Sequence, residues 1–403
     1  MRRWLVYFFI LPLLSLPAGA DEVFDHSMDA LAQRLSFSAF DGAWRARFSG
    51  TFDLEAYFFD GPPPGLLATQ QSWLWQPRGT LFFDAQAGPR LYFFAQGRMD
   101  RGFDPADAHL RGRLDEFALR LTPWADSRLN VQLGQFGTIS GQWVKRHLSW
   151  QNPFISAPLF YENPSRLSDL SFSSEQYPSY ASQRGNPVIW GPSYTTGIAA
   201  SGQWKQFEWA AEFKNASLFS RPEYWAWWDV GFSEPTVGGR IAWRPNLQWT
   251  LGLSTSHGTF LSPSADYSLP SGHERGDYRQ TLWLLDVSYA FRHLQLWAEV
   301  VHTRLLGPTL QTVENSAYFI EARYKFTPRL AGAIRWNQQS FSRLQRYGAS
   351  DERWGDSMIR LDVAATWRFN AHTQIQLEIS RSEGSEASQR DRMHLATRYT
   401  LRF

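Results

Sequence analysis

The chain of 403 residues contains no cysteine and only five methionines. Beyond its first twenty positions it also lacks any apolar run approaching the roughly 20 residues that a spanning helix requires. The missing cysteines exclude a disulfide framework. The missing run excludes a helical membrane protein. Charge of one sign is also scarce: 40 basic side chains face 38 acidic ones, a net of +2. Arg2 and Arg3 account for that excess, so the remainder is neutral and no nucleic-acid partner is indicated. Catalytic and cofactor signatures are absent too. No G-x-S-x-G elbow, H-E-x-x-H zinc site, EF-hand pattern or phosphate-binding glycine loop occurs. His257 and the segment His273-Glu274-Arg275-Gly276-Asp277 come nearest to an acid/base pair. They read as solvated loop, so the expectation is a non-enzyme without cofactor.

The front of the chain has the layout of a cleaved secretory signal peptide over residues 1–20. Arg2 and Arg3 precede an apolar run from Trp4 to Leu16 that Pro12 interrupts, and Ala18-Gly19-Ala20 supplies small residues for cleavage. Residues 21–42 follow as a short segment expected on the periplasmic side. Ser27 there is expected to cap a short helix carrying Met28, Leu31 and Leu35.

From residue 43 to Phe403 the dominant signal is period two. Trp44, Ala46, Phe48, Gly50, Phe52, Leu54 and Ala56 alternate with Arg45, Arg47, Ser49, Thr51, Asp53 and Glu55. At the other end Met393, Leu395, Thr397, Tyr399, Leu401 and Phe403 alternate with Arg392, His394, Ala396, Arg398, Thr400 and Arg402. Such a pattern gives each strand one apolar and one polar face. Mean hydropathy then averages to a modest −0.39 without implying solubility. Sixteen candidate strands can be placed, with 14 or 18 as the neighbouring solutions. Their connections alternate between short ones, such as Gly88-Pro89 and Pro245-Asn246, and long ones, such as 216–235 and 257–278.

Strict alternation of loop length, with aromatics at 16% of the chain, separates a transmembrane barrel from a soluble sandwich. The expected fold class is therefore all-β: a transmembrane antiparallel β-barrel of about sixteen strands in the bacterial outer membrane. Short turns would face the periplasm and long loops the outside. The final strand is expected to close against the first, with Phe403 presented to the barrel-assembly machinery.

One long loop, residues 137–193, exceeds the rest and is too aromatic for a disordered tail. Signal peptide, sixteen strands, an enlarged third outer loop and a terminal Phe together resemble the bacterial general porins, in layout and not in a motif matched residue by residue. The resemblance implies a passive channel for small hydrophilic solutes or ions, with the third loop folded inward to narrow it. It also implies a homotrimer in contact with outer-membrane lipid and lipopolysaccharide. One departure is that the loop front, Lys145-Arg146-His147, is basic where that family favours acids.

Candidates for the constriction are Lys145, Arg146, His147, Glu162, Arg166 and Asp169. Inward alternation nominates Arg45, Arg47, Arg98, Arg120, Arg240, Arg323, Arg335 and Arg360 as lumen-wall cations. Trp143, Trp150 and Phe154 offer flat apolar surfaces of the kind a sugar ring uses. A sugar-selective porin and a polysaccharide export channel are the alternative functions; an outer-membrane hydrolase is a more distant one.

Overall fold

Alternation becomes geometry in the computed structural model, which describes residues 20–61, 63–67, 69, 71–101, 110–170, 185–306, 312–343, 353–385 and 391–403. The expected signal segment falls outside these residues apart from Ala20, as do residues 171–184 of the third long loop. A helix, α1 (Ala20–Arg34), leads into a short strand, β1 (Ser36–Ala39). The strands that follow are β2 (Trp44–Phe59), β3 (Trp73–Ala87), β4 (Leu91–Asp100), β5 (Arg111–Leu121), β6 (Asn130–Phe136), β7 (Thr195–Trp204), β8 (Phe207–Lys214) and β9 (Thr236–Trp243). They continue as β10 (Trp249–Thr259), β11 (Arg279–Phe291), β12 (Leu294–Leu306), β13 (Val313–Lys325), β14 (Leu330–Phe341), β15 (Met358–Arg368), β16 (Thr373–Gly384) and β17 (Arg392–Arg402).

Strands β2 to β17 pair antiparallel with their chain neighbours, and β17 returns to pair with β2 from Arg402↔Thr51 to His394↔Phe59. Sixteen strands thus form a closed ring without an exposed edge. Beyond β17, the backbones of Gly50 and Phe403 exchange two hydrogen bonds of 3.1 Å, while β1 pairs with the first residues of β2. Gly50 is required there. A Cβ would stand 2.7 Å from the Phe403 ring and 2.8 Å from the Thr80 carbonyl.

The outer face carries Phe48, Phe52, Leu81, Leu133, Ile241, Leu253, Leu285, Val300, Ile320, Val363 and Ile379, all exposed. Trp44, Trp204, Phe207, Trp243, Phe291 and Phe326 ring its short-turn end. An apolar belt bordered by aromatics is the wall expected against lipid. No helix among the described residues is long and apolar enough to cross a membrane.

Two differences from the sequence reading have clear causes. Strand β3 begins at Trp73, seven residues before the expected Thr80, because Pro77 and Gly79 mask its alternation. Pairing with β4 starts only at Gly79, so Pro77 lies beyond that ladder and its missing N–H is tolerated. Ser27 does not cap α1; it lies inside the helix, where its hydroxyl donates to the Val23 carbonyl at 2.9 Å. Near its middle α1 touches the β15–β16 turn through Asp29 and His372, 3.2 Å apart.

The inner face is not uniformly polar. Leu282, Leu284, Val301, Leu305 and Phe319 of β11 to β13 point inward and are fully buried against Phe160, Tyr161, Val188 and Ile189 of the third long loop, together with Phe219 and Phe260 of the next two. Each such side chain contributes roughly 1.5–3 kcal/mol. One side of the lumen is thereby filled.

Candidate functional site

The described residues of the third long loop, 137–170 and 185–194, follow the inside of the wall. Its backbone donors demand acceptors, and inward carboxylates supply them. Gly137 N–H reaches Glu116 of β5 at 2.8 Å, and the Thr138 hydroxyl reaches Glu212 of β8 at 2.7 Å. On β12, Glu299 accepts from Gln142 N–H at 2.6 Å, Trp143 N–H at 2.7 Å and the Tyr161 hydroxyl at 2.8 Å. Gly141 makes this approach possible. Its φ of +78° is a left-handed conformation, and a Cβ there would lie 3.1 Å from Glu299.

Further on, a one-turn helix, α2 (Leu159–Glu162), rests on β13 and β14. Arg335 of β14 donates to Ser156 Oγ at 2.7 Å, and Arg360 of β15 holds Glu162 at 2.5 Å. Glu378 of β16 accepts from Ile155 N–H at 2.5 Å and Ser156 N–H at 3.0 Å. Arg398 of β17 donates to the Ser149 and Phe154 carbonyls at 3.2 and 3.1 Å.

Between the loop and the wall of β2 to β4 and β17 lies a cavity of about 170 Å³. Tyr57, Gln76, Arg78, Arg98, Asp100, His394 and Arg398 line the wall side; Trp143, His147, Ile155, Tyr161 and Glu162 line the loop side. The wall carries a ladder of alternating charge. Arg78 meets Glu55 at 3.2 Å and Asp100 at 3.5 Å; Arg98 meets Asp115 at 3.2 Å; Arg113 meets Asp100 and Asp115, both at 2.6 Å.

The nominated residues divide. Arg98, His147, Glu162 and Trp143 line the cavity. Lys145 is exposed to lumen water on the other side of the loop, facing Arg240, Glu208, Asp286 and Arg244. Arg45 and Arg47 stand at the short-turn end, exposed. Arg120 donates to Gln132 at 2.8 Å, and Arg323 points inward from β13.

Several others are taken out of the lumen face. Arg146 is committed to Glu321 at 2.6 Å and lies over Trp297. Asp169 is buried and holds Arg221 of the next loop at 2.7 Å. Arg166 is half-buried, and its backbone N–H donates to the Trp354 carbonyl at 2.8 Å. Arg240 is buried on Asp286, with 2.9 Å between Nη2 and Oδ2; Arg335 and Arg360 are buried anchors of the loop.

Each of the nominated rings makes a contact with another ring or an arginine. Trp143 stacks on Tyr161 with centroids 4.4 Å apart, Phe154 is buried beneath Arg335, and Trp150 lies against Arg368 and Arg402. The sequence reading missed Arg78, Gln76, Tyr57 and His394. For Arg78 and Gln76 the cause is the unseen first half of β3.

Elsewhere, His257 lies on β10 bonded to Thr281 at 2.8 Å, and His273 stands 3.5 Å from Asp277 in an exposed loop. No group of three or more metal-ligating side chains occurs among the described residues.

Charge inside the cavity follows from burial. His147 Nδ1 lies 2.5 Å from the Val144 carbonyl, which only accepts, so Nδ1 carries the proton and Nε2 accepts from the Tyr194 hydroxyl at 2.6 Å. Burial holds this neutral imidazole down to about 4. Burial also lifts Glu162 above the usual carboxylate range, outweighing Arg360.

A docked histidine with a lowered pKa binds fewer protons than a released one between about 4 and its ordinary 6.5. Loop seating should therefore be intact above pH 6.5 and weaken progressively as pH falls toward 4. Protease accessibility of the loop, compared at pH 7.5 and 4.5, should rise on acidification. His147→Gln should flatten that dependence; an unchanged profile in the variant would assign it to other groups.

No family model matches the chain, and no curated protein is a detectable relative. Solved structures with the same fold do exist. The chain is similar to the anion-selective porin from Comamonas acidovorans, at 10% identity over 89% of this chain and 100% of that one, with a TM-score of 0.58. OmpT, an outer membrane protein of Vibrio cholerae, matches in its trimer form at 8% identity over 89% and 99%, with a TM-score of 0.56. OmpF of Salmonella typhi, in complex with daunomycin, matches at 13% identity over 91% and 100%, with a TM-score of 0.55. At such identities the likeness is one of fold: a closed antiparallel barrel of the porin kind.

Proposed function

We propose that this barrel of porin fold is a passive diffusion channel of the bacterial outer membrane, exported by a cleaved signal peptide and open to small hydrophilic solutes and ions. One observation carries the reading. The described part of the third loop is fastened to inward carboxylates and guanidiniums of β8 and of β12 to β17, and it leaves a water-accessible cavity along a charged ladder on the wall of β2 to β4. A loop held in this way is a size filter, and the ladder supplies polar groups along which a hydrated solute exchanges its water.

A sugar-selective channel would need accessible ring faces, and it is less well supported because Trp143 stacks on Tyr161 while Phe154 and Trp150 lie against arginines. A polysaccharide exporter would need a wider lumen of one sign. Such a channel needs no catalytic residue and no cofactor. A homotrimer surrounded by lipid and lipopolysaccharide, and recognition of Phe403 by the assembly machinery, belong to the same proposal; the matched trimer form of the Vibrio cholerae protein supports the first.

Planar-bilayer recording of the purified chain tests it. Discrete open steps with a reversal potential in a salt gradient are expected, and a flat trace would refute the reading. Lys145→Glu exchanges an exposed lumen cation for an anion. It should move the reversal potential toward cations, with a permeability ratio changed on the order of twofold. No movement would place Lys145 off the ion path.

A further inference from the structure

We propose that the short-turn end of the lumen holds a binding site for multivalent oxyanions, formed by Arg47, Arg323, Lys325, Arg368 and Arg402 around Trp150. Inward positions near the ends of β13, β15 and β17 and the start of β2 are all cationic at this level. Arg368 lies within electrostatic reach of Arg323, Lys325 and Arg402, and Arg402 within reach of Arg47. Trp150, from the third loop, ties the group together: its ring centroid is 4.0 Å from the Arg402 guanidinium carbon and 5.1 Å from that of Arg368.

The opposite wall shows what this one lacks. There Arg240 is paired with Asp286 and Arg244 with Glu208. Among the described residues none of the five cations of the cluster forms a salt bridge; Glu321 lies within electrostatic reach of Arg323, but it and three carboxylates on neighbouring elements have other partners. Asp84, opposite Arg47 in register, takes the Tyr92 hydroxyl. Glu321 takes Arg146 at 2.6 Å, and Asp53 takes the Thr400 hydroxyl at 2.6 Å. Asp29 of α1 is held by His372.

Arg323 Nε is buried without a hydrogen-bond partner, while Arg402 and Arg368 spend one donor each on the Ala371 carbonyl and Gln374. Guanidinium forks with spare donors and no ion-paired carboxylate suit phosphate, pyrophosphate or di- and tricarboxylates, which accept bidentate bonds from several arginines at once.

The site bears on selectivity only if the barrel conducts, as proposed above; binding itself needs only the folded barrel. Isothermal titration of the detergent-solubilised full chain with sodium pyrophosphate should give saturable binding. Affinity should fall at least about tenfold in Arg368→Gln/Arg402→Gln, two charge-assisted contacts being removed. Arg244→Gln, which removes a paired cation, should leave it unchanged.

In bilayers, pyrophosphate added on the short-turn side should reduce open current more than on the loop side, and the double variant should abolish the difference. Conducting channels without saturable binding, or binding lost equally in Arg244→Gln, would overturn the site and leave the channel reading intact. Binding without conduction would keep the site and overturn the channel.

Discussion

Replacing residues 140–190 by a short glycine-serine link between β6 and β7 is expected to raise single-channel conductance by about an order of magnitude, because a sixteen-strand barrel otherwise encloses an open aqueous channel. The loop is held inside by acceptors on the wall. Glu299 receives three donors between 2.6 and 2.8 Å, and Glu378 receives two backbone N–H groups. Hydrogen bonds to a charged partner contribute roughly 1.5–3 kcal/mol each. The double variant Glu299→Ala/Glu378→Ala strands those donors and should give flickering, intermediate conductance. Conductance unchanged on excising the loop would show that the narrowest point is elsewhere.

The second large effect is expected at the seam. Gly50→Val should reduce the yield of folded barrel tenfold or more, measured as the heat-sensitive fast-migrating form on gels. The added Cβ meets the Thr80 carbonyl at 2.8 Å, and backbone cannot move aside as a side chain does. The Phe403 ring, 2.7 Å away, crowds it from the other side. Phe403→Ala combined with Gly50→Val should recover only part of the yield, since the Thr80 contact persists. Full recovery would trace the defect to the ring alone.

Which features were legible in the chain follows from what leaves a periodic trace. A strand between lipid and water must alternate, so β2, β15 and β17 are readable directly, and loop lengths order them into a barrel. Strand β3 was half hidden by Pro77 and Gly79, and Arg78 and Gln76 were lost with it. The apolar filling was also illegible. In β11, Leu282 and Leu284 face inward while Trp283 and Leu285 face outward, so the segment is oily on both sides without announcing why.

Charges were readable as inward but not in their roles. Glu299 serves backbone donors more than 150 positions earlier, and no spacing records such a partnership. Arg146 and Asp169 have the composition of selectivity groups and are fasteners. Lys145, beside Arg146, is the one left in the water.

Arg398 has a consequence for how the molecule comes together. Its guanidinium reaches Glu55 across the β17–β2 junction at 3.5 Å and, from the same side chain, the Ser149 and Phe154 carbonyls of the interior loop. Docking of the loop and sealing of the cylinder thus share one cation. A chain that zipped shut before its interior segment had settled would leave this arginine without its two carbonyl acceptors, so sealing the cylinder and seating the loop stabilise each other.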